Sequence, residues 1–233
     1  LIKININQVK IILAMNIKTF SRQIIKSIFM LAIATSLFAC QGESFAQAPL
    51  SDSNYTLLNA PLDVSSGDRI EVAELFWYGC GHCFSLEPQV NAWKKDLPEN
   101  VAFVKVPAIF SKRWEFHGKA FYTMEALGVL EEANDAFFHR IHVAAKPVND
   151  IDELIKFMEA YGKTAEDVTS AFNSFAVDTK LRNAKMITAK STATGVPAFL
   201  VDGKYHTSVS LAGSTTNLFN VIDQLVTKAA TER

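Results

Sequence analysis

The chain has 233 residues, of which 49% are hydrophobic and 20% are charged, so its composition is that of a globular protein. Its length allows one domain, or one domain with a sizeable insertion. The formal net charge of −1 excludes a general electrostatic attraction to nucleic acid or to an anionic membrane, and we expect no nucleic-acid partner.

Residues 1–48 are predicted to be an N-terminal extension and signal peptide that is removed from the mature protein. From Met15 onward, basic residues precede the apolar run Ile28–Ala39, which is too short to span a bilayer comfortably. A basic segment followed by a short apolar one is the layout of a secretory signal peptide. The alternative is an amphipathic or core helix of the mature protein.

Two ways of processing this segment are visible. Residues 46–48, AQA, form a small-x-small site whose cleavage releases a soluble protein, and this interpretation is favoured. The sequence LFAC at residues 37–40 resembles a bacterial lipobox, which would leave Cys40 acylated and the protein tethered to a membrane. In either case the mature protein carries only Cys80 and Cys83 as thiols, in an oxidising compartment where disulfides persist.

The first predicted elements form a strand–helix–strand unit. After a short edge strand at Tyr55–Leu58, the apolar segment Arg69–Tyr78 predicts a strand buried on both faces of a sheet. The apolar period then becomes helical from Cys80 to about Leu97. Val101–Phe110 predicts a second strand, which ends near Pro107. A right-handed unit of this kind places the first strand–helix junction at the carboxyl end of the sheet, where open α/β sheets bind ligands.

A block of helices follows. The predicted helices are Trp114–Leu127, Leu130–Val143, Ile151–Tyr161, a segment that begins after Thr164, and Val177–Thr192. Gly128 and Gly162 are predicted to end helices, and Asp150 and Thr164 are predicted to cap their first turns.

The chain closes with a β-hairpin and a helix. Ala198–Val201 predicts a strand, Asp202-Gly203 predicts a tight turn into a return strand, and Thr215–Ala230 predicts the last helix. The order of the elements therefore predicts an α/β fold in which a helical block interrupts a small sheet.

Cys80 and Cys83 form a Cys-x-x-Cys pair at the predicted first turn of a helix. Unpaired N–H groups and the helix macrodipole favour negative charge there, so we expect the pKa of Cys80 to be low and its thiolate to attack. Cys83 is predicted to be the buried resolving thiol. His82, as a cation or hydrogen-bond donor, would stabilise the Cys80 thiolate and make the disulfide more oxidising; the alternative is an exposed loop side chain.

Other uses of this pair have less support. A closed zinc site needs four ligands, whereas the mature chain has two cysteines and no histidines at zinc-finger spacing. His139 and His142 could face one metal ion, but a partly solvated helix face is the simpler interpretation. A purely structural Cys80–Cys83 disulfide also has little support, because closing so short a loop removes little entropy from the unfolded chain. We therefore predict no metal, and no cofactor besides a redox-active Cys80–Cys83 disulfide.

Two further features lie away from the cysteines. Glu74 stands in an otherwise apolar strand, where it is either a buried proton acceptor for Cys83 or a strand-end side chain facing water. Lys105, on the next strand, either pairs with Glu74 or is solvated. A cis bond at Val196-Pro197 would leave the backbone of Val196 free to pair with an extended peptide; a trans proline at a strand start is the alternative.

Together these residues resemble the DsbA family of bacterial thiol:disulfide interchange proteins, within the thioredoxin-like superfamily. The resemblance rests on Glu74, the sequence FWYGCGHC at residues 76–83, the sequence GVPAFLVDGKY around Pro197, and the position of the helical block. It implies a thioredoxin-like fold with an inserted helical domain. The implied boundaries are 49–110 and 181–233 for the two parts of the thioredoxin-like domain and 111–180 for the insertion.

The resemblance also implies residue roles and partners. Cys80 would form the mixed disulfide, Cys83 would resolve it, and Glu74 would be the buried acid, while Val196 and Pro197 would face the bound peptide. The protein would be a monomeric periplasmic oxidase of reduced, newly exported proteins. A membrane quinone-linked oxidase resembling DsbB would recharge it.

One residue departs from the family's usual pattern. The best-known members have Pro-His between the cysteines, whereas this chain has Gly81-His82, as in eukaryotic disulfide isomerases. A disulfide isomerase or reductase is therefore the alternative enzyme. A non-catalytic peptide-binding module is the alternative from a different class.

Overall fold

The computed structural model describes residues 49–233. The predicted signal peptide, its cleavage site at residues 46–48 and Cys40 lie outside the described residues. Ala48–Arg233 forms one compact unit. Among residues 49–233, no helix has both the length and the apolar character needed to cross a bilayer.

A mixed sheet of five strands, counted over the described residues, lies at the centre of the fold. The strands are β1 (Thr56–Leu57), β2 (Ile70–Phe76), β3 (Val101–Pro107), β4 (Ala198–Val201) and β5 (Tyr205–Ser208). They lie in the order β1-β5-β4-β2-β3. β2 pairs in parallel with β3, and the other pairs are antiparallel. β2, an interior strand between β4 and β3, leads directly into the predicted dithiol.

Helices surround this sheet. They are α1 (Gly81–Trp93), α2 (Lys112–Ala126), α3 (Leu130–His142), α4 (Ile151–Met158), α5 (Ala165–Phe172), α6 (Phe175–Lys190), α7 (Val209–Ala212) and α8 (Thr215–Thr231). The block α2–α6 lies in the chain between β3 and β4, so the predicted α/β class with an interrupting helical block is confirmed.

β2 is buried along its whole length, as its apolar sequence predicts. Ala73 and Leu75 belong to the larger core, which the sheet shares with the helical block. Ile70 and Val72 belong to a second core, formed mainly with α8. This alternation follows from the two-residue period of a strand. Full burial of a side chain such as Ile70, Val72 or Leu75 contributes about 1.5–3 kcal/mol.

One predicted strand end is wrong and the other is confirmed. The strand predicted to reach Tyr78 stops at Phe76, because the Cys80 N–H donates to the Trp77 carbonyl at 2.9 Å and closes a turn. The second strand was predicted to end near Pro107, and it does end at Pro107. Beyond it, the N–H of Ile109 donates to the Thr188 hydroxyl on α6 at 3.1 Å.

The limits of α6 also differ from the predicted 177–192. The helix begins at Phe175 because the Ser174 hydroxyl caps it, and it ends at Lys190 before Thr192, whose φ is 59°. α6 crosses residue 180, where the helical insertion was predicted to end; the domain boundaries remain predictions. The sequence reasoning missed the four-residue helix α7.

Several caps and turns follow from their local sequence. The side chains of Asp150 and Thr164 cap α4 and α5 as predicted. Asp202 and Gly203 have φ values of 53° and 63°, which is the type I′ geometry of a tight hairpin. A β-carbon on Gly203 would lie 2.2 Å from the Leu62 carbonyl oxygen, so this turn requires glycine.

Candidate active site

Cys80 and Cys83 occupy the first turn of α1, as predicted. Cys80 is the N-cap residue, with extended backbone angles, and its Sγ accepts the Cys83 N–H at 3.4 Å. Cys80 is half-buried, whereas Cys83 is completely buried. The helix therefore presents one sulfur to solvent and encloses the other.

The environment of Cys80 stabilises its thiolate. The pKa of Cys80 is lowered to about 6, first by a hydrogen bond from the Cys83 side chain and then, against the opposing effect of burial, by the backbone N–H groups of Cys83 and His82. The charge of His82 is the smallest of the contributions that lower it. The His82 side chain is exposed. The second thiol and the backbone of the helix terminus thus contribute more to the low pKa of Cys80 than the imidazole of His82, which the sequence predicted as a further stabilising group.

The environment of Cys83 has the opposite effect. Burial raises the pKa of Cys83 far above its usual range, and the hydrogen bond with Cys80 and the charge of Glu74 raise it further. Cys83 consequently remains a thiol under conditions in which Cys80 is a thiolate. This difference is the one expected between a resolving and an attacking cysteine.

Glu74 lies inside the protein, so the alternative of a water-facing strand end is wrong. Its side chain has no exposed surface, and burial raises the pKa of its carboxyl group. Lys105 Nζ lies 3.1 Å from Glu74 Oε2, so of the two alternatives for Lys105 the pairing is the one observed. Glu74 Oε1 has no hydrogen-bond partner among the described residues, so the carboxylate keeps unused acceptor capacity.

The sequence reasoning missed the second carboxylate at Lys105. Glu87 Oε2 accepts a hydrogen bond from Lys105 Nζ at 2.6 Å, and Glu87 Oε1 accepts one from the Asn134 amide at 2.9 Å. Asn134 Oδ1 in turn accepts the Tyr78 hydroxyl at 3.0 Å. A signal was present, because Glu87 follows Cys83 by one helical turn and therefore shares its buried face.

Val196 and Pro197 lie against the dithiol. Their peptide bond is cis, as predicted, and the Cys80 thiol donates to the Val196 carbonyl at 3.5 Å. A groove with a volume of about 560 Å³ adjoins this contact, and its lining includes His82, Gln89, Val196, Pro197 and His206. The fold thus brings together Cys80 and two residues that are more than a hundred positions away in the chain.

The histidines considered as metal ligands have other contacts. His142 Nε2 donates to the Tyr78 carbonyl at 2.8 Å, and its ring stacks on Phe84, while His139 meets Phe84 edge-on. No group of three or more histidine, cysteine or acidic side chains within residues 49–233 could hold a metal ion. His139 is exposed and His142 is half-buried, so the prediction of a partly solvated helix face is confirmed.

Comparison with known proteins identifies the family. A family model described as a DSBA-like thioredoxin domain matches residues 117–219. The thiol:disulfide interchange protein DsbA of Pseudomonas syringae pv. tomato is 36% identical over 196 residues, which span 84% of this chain and 91% of that protein. DsbA of Azotobacter vinelandii is 38% identical over 195 residues, 82% of this chain and 91% of that protein. The chain belongs to the DsbA family.

A solved structure of the family has the same architecture. A crystal structure of a Pseudomonas aeruginosa DsbA variant superposes with a TM-score of 0.76 at 35% identity, covering 79% of this chain and all of that one. This DsbA-family protein therefore has a thioredoxin-like fold with a helical insertion, and it is a thiol:disulfide oxidoreductase. The resemblance drawn from the sequence is confirmed.

Proposed function

We propose that this protein is a periplasmic oxidase that donates a Cys80–Cys83 disulfide to reduced, newly exported proteins. The observation that carries the proposal is the contrast within one helical turn: Cys80 is half-buried with a pKa of about 6, and Cys83 is enclosed with a raised pKa. A stabilised Cys80 thiolate stabilises the reduced enzyme, and a stable reduced form makes the disulfide a stronger oxidant.

The reaction proceeds through a mixed disulfide at Cys80. A substrate thiolate attacks Cys80 Sγ, the Cys80–Cys83 bond breaks, and Cys83 leaves with the electron pair and takes up a proton. A second substrate thiolate then attacks the substrate sulfur of the mixed disulfide and releases Cys80 as a thiolate. Two electrons pass from the substrate dithiol to the enzyme, and a low pKa makes Cys80 a good leaving group.

The buried carboxylate Glu74 is suited to the proton transfer at Cys83. Water is excluded from this side of the helix, so the proton that Cys83 gains or loses needs a nearby exchangeable group. Glu74 is completely buried, has a raised pKa and has unused acceptor capacity. Lys105 and Glu87 hold a compensating charge network beside it.

The loop at Val196–Pro197 would hold the substrate. An extended segment that pairs with the backbone of Val196 would place its cysteine beside Cys80, because Val196 O already lies within 3.5 Å of that sulfur. The adjoining groove would accept the flanking side chains. Backbone pairing accommodates many sequences, which suits an enzyme with many clients.

Each catalytic cycle leaves the enzyme reduced, so it needs an external oxidant. We propose a membrane quinone-linked oxidase resembling DsbB, which would attack through the same exposed Cys80. The predicted signal peptide at residues 1–48 supports export to the periplasm. We propose a monomer, with the dithiol as the only redox group.

Two cysteine variants test this function with a reduced, unfolded substrate protein. Cys80→Ser is expected to lose oxidase activity completely. Cys83→Ser is first loaded as a mixed disulfide between Cys80 and glutathione. A substrate thiolate then attacks Cys80 Sγ and displaces glutathione as a thiol, and the resulting mixed disulfide with the substrate is expected to accumulate because no resolving thiol is present. A Cys80→Ser variant with full biological activity would instead indicate a non-catalytic peptide-binding module. Neither cysteine is needed for the groove, so peptide affinity provides the folding control.

The reduction potential separates the enzymatic alternatives. Equilibration with glutathione is expected to give a value well above that of thioredoxin, about −270 mV. Gly81 between the cysteines is the feature that favours an isomerase or reductase. A potential as negative as that of thioredoxin would assign the protein to that alternative.

A further inference from the structure

The backbone immediately before Cys80 forms a tight turn whose central peptide is held from outside. The Cys80 N–H donates to the Trp77 carbonyl at 2.9 Å, so Trp77–Cys80 is a β-turn with Tyr78 and Gly79 as its central residues. Gly79 does not have a positive φ, which leaves the type I arrangement rather than type II. Turn types I and II differ in the orientation of the central peptide, which here is the Tyr78–Gly79 peptide.

The sequence of the turn alone does not fix that orientation. Glycine at the third position of a turn adopts the positive φ of type II without steric cost, so the central peptide could flip. A larger residue cannot replace Gly79, because its β-carbon would lie 2.3 Å from the Trp77 ring. The turn is therefore built on a residue that permits both orientations, and another contact must select one.

His142 supplies that contact from the helical block. Its Nε2 lies 2.8 Å from the Tyr78 carbonyl oxygen, and since a carbonyl can only accept, the imidazole donates. Its ring stacks on Phe84 with an interplanar angle of 10° and a centroid distance of 5.0 Å. Tyr78 lies two residues before Cys80, and Phe84 directly follows Cys83. One side chain of α3 thus contacts the chain on both sides of the dithiol.

We propose that His142 is a positioning residue that fixes the Tyr78–Gly79 peptide and thereby holds Cys80 at the N-terminus of α1. The low pKa of Cys80 depends on backbone N–H groups at this helix terminus, so its sulfur must stay in place to receive their hydrogen bonds. Loss of the His142 bond frees the peptide to flip and weakens that stabilisation. This inference rests on the proposed function, because it assigns His142 a share in the oxidising power of Cys80.

Variants of His142 separate its hydrogen bond from its ring. His142→Phe keeps an aromatic ring against Phe84 but removes the donor, and His142→Asn has an amide too short to reach Tyr78. His142→Gln restores an amide N–H near the position of Nε2. His139→Phe is the matched control, because His139 contacts the same Phe84 ring at 5.2 Å from the same helix.

The readouts are the pKa of Cys80, from thiolate absorbance, and the equilibrium constant for reduction of the enzyme by glutathione. His142→Phe and His142→Asn are expected to raise the pKa and to lower the equilibrium constant about fivefold, the factor expected from one net hydrogen bond. His142→Gln and His139→Phe are expected to match the wild type. A merely structural role would lower the unfolding midpoint without moving either readout.

Two results would overturn the proposal: values for His142→Phe that equal those for His139→Phe, or a His142→Gln variant as impaired as His142→Phe. His142→Asn keeps the test decisive if the phenylalanine variant does not fold. Failure of the proposed function is distinguishable, because it appears as oxidase activity that survives Cys80→Ser. The pKa of Cys80 can be compared among the His142 variants in either case.

Discussion

The two sides of the first turn of α1 differ although they share one stretch of backbone. On one side, Cys80 and the exposed His82 face the groove and the loop at Pro197. On the other, Cys83 is enclosed by the core and lies within the influence of the Glu74 charge. Identical thiols therefore acquire opposite pKa shifts. The difference teaches that hydration and helix-terminal hydrogen bonds, rather than residue type, divide the attacking and resolving roles.

The largest effect is expected from removing Lys105, the cation beside Glu74 on the buried side of the turn. Lys105→Met leaves the Glu74 carboxylate without the charge that lies 3.1 Å from it, and leaves Glu87 without its hydrogen-bond donor. Breaking a buried ion pair by removing one partner costs about 3–5 kcal/mol. We expect a loss of about 3 kcal/mol in the free energy of unfolding, measured with urea.

The pH dependence and a surface variant control that measurement. The loss should be greater at pH 8 than at pH 5, because Glu74, whose pKa is already raised by burial, becomes protonated in acid and then leaves no stranded charge. Lys180→Met removes an equally short but exposed pair with Glu125 and should change stability by less than about 1 kcal/mol. Equal losses in the two variants would contradict a buried charge network.

On the exposed side, the low pKa of Cys80 should make the stability of the reduced protein depend on pH. The oxidised protein has no Cys80 thiolate and should not show this dependence. Folding lowers the pKa of Cys80 from 9.0 to about 6, so the unfolded chain binds more protons than the folded one between these values. Stability of the reduced form should therefore rise with pH over this window and be lost as the pH falls through about 6. Urea midpoints of the reduced protein, taken relative to the oxidised protein, measure this rise.

The Cys80→Ser variant is the control for this pH dependence. Cys80→Ser has no thiolate at that position, so its stability should follow the oxidised protein across the same pH range. A reduced protein whose stability stays parallel to that of Cys80→Ser would show that the Cys80 thiolate does not contribute to folding.

The smallest expected effect is a change in the pKa of Cys80 when either Cys83 or His82 is replaced. Cys83→Ala removes the largest stabilising contribution to the thiolate, whereas His82→Ala removes the smallest and keeps the backbone N–H. Both variants should raise the pKa of Cys80, and Cys83→Ala should raise it more. Thiolate absorbance against pH measures both shifts. The reverse order would make the His82 imidazole the larger contribution to the low pKa of Cys80.

Local chemistry made much of this fold predictable. The type I′ turn at Asp202–Gly203, the caps at Asp150 and Thr164, and the Cys80–Cys83 helix start each depend on residues within one turn of chain. Such features follow from side-chain geometry alone. The end of β2 was less predictable, because it depends on the turn hydrogen bond from the Cys80 N–H to the Trp77 carbonyl. The end of β3 was predictable because Pro107 marks it in the sequence.

The rest of the site depends on distant residues. Glu74 was noticed because a carboxylate is unusual in an apolar strand, but the sequence left its burial open. Glu87 was missed although its position one helical turn after Cys83 on α1 could have indicated its burial. Asn134 and His142 were missed as site residues, since polar side chains on helices usually face water. The roles of these two residues emerge only when the helical block packs against α1, which sequence periodicity does not specify.

The order in which the chain is synthesised gives the cis-proline loop a further consequence. Cys80 precedes Val196 by 116 residues, so at roughly 5–20 residues per second the cysteines exist on the order of 10 s before their peptide-facing partner. A β2–β3 pair that formed during that interval would leave open the edge of β2 with which β4 pairs in the folded protein. An unpaired edge of an apolar strand is prone to pairing with other chains. This nascent protein thus shares, for a time, the exposure of the substrates on which it is proposed to act.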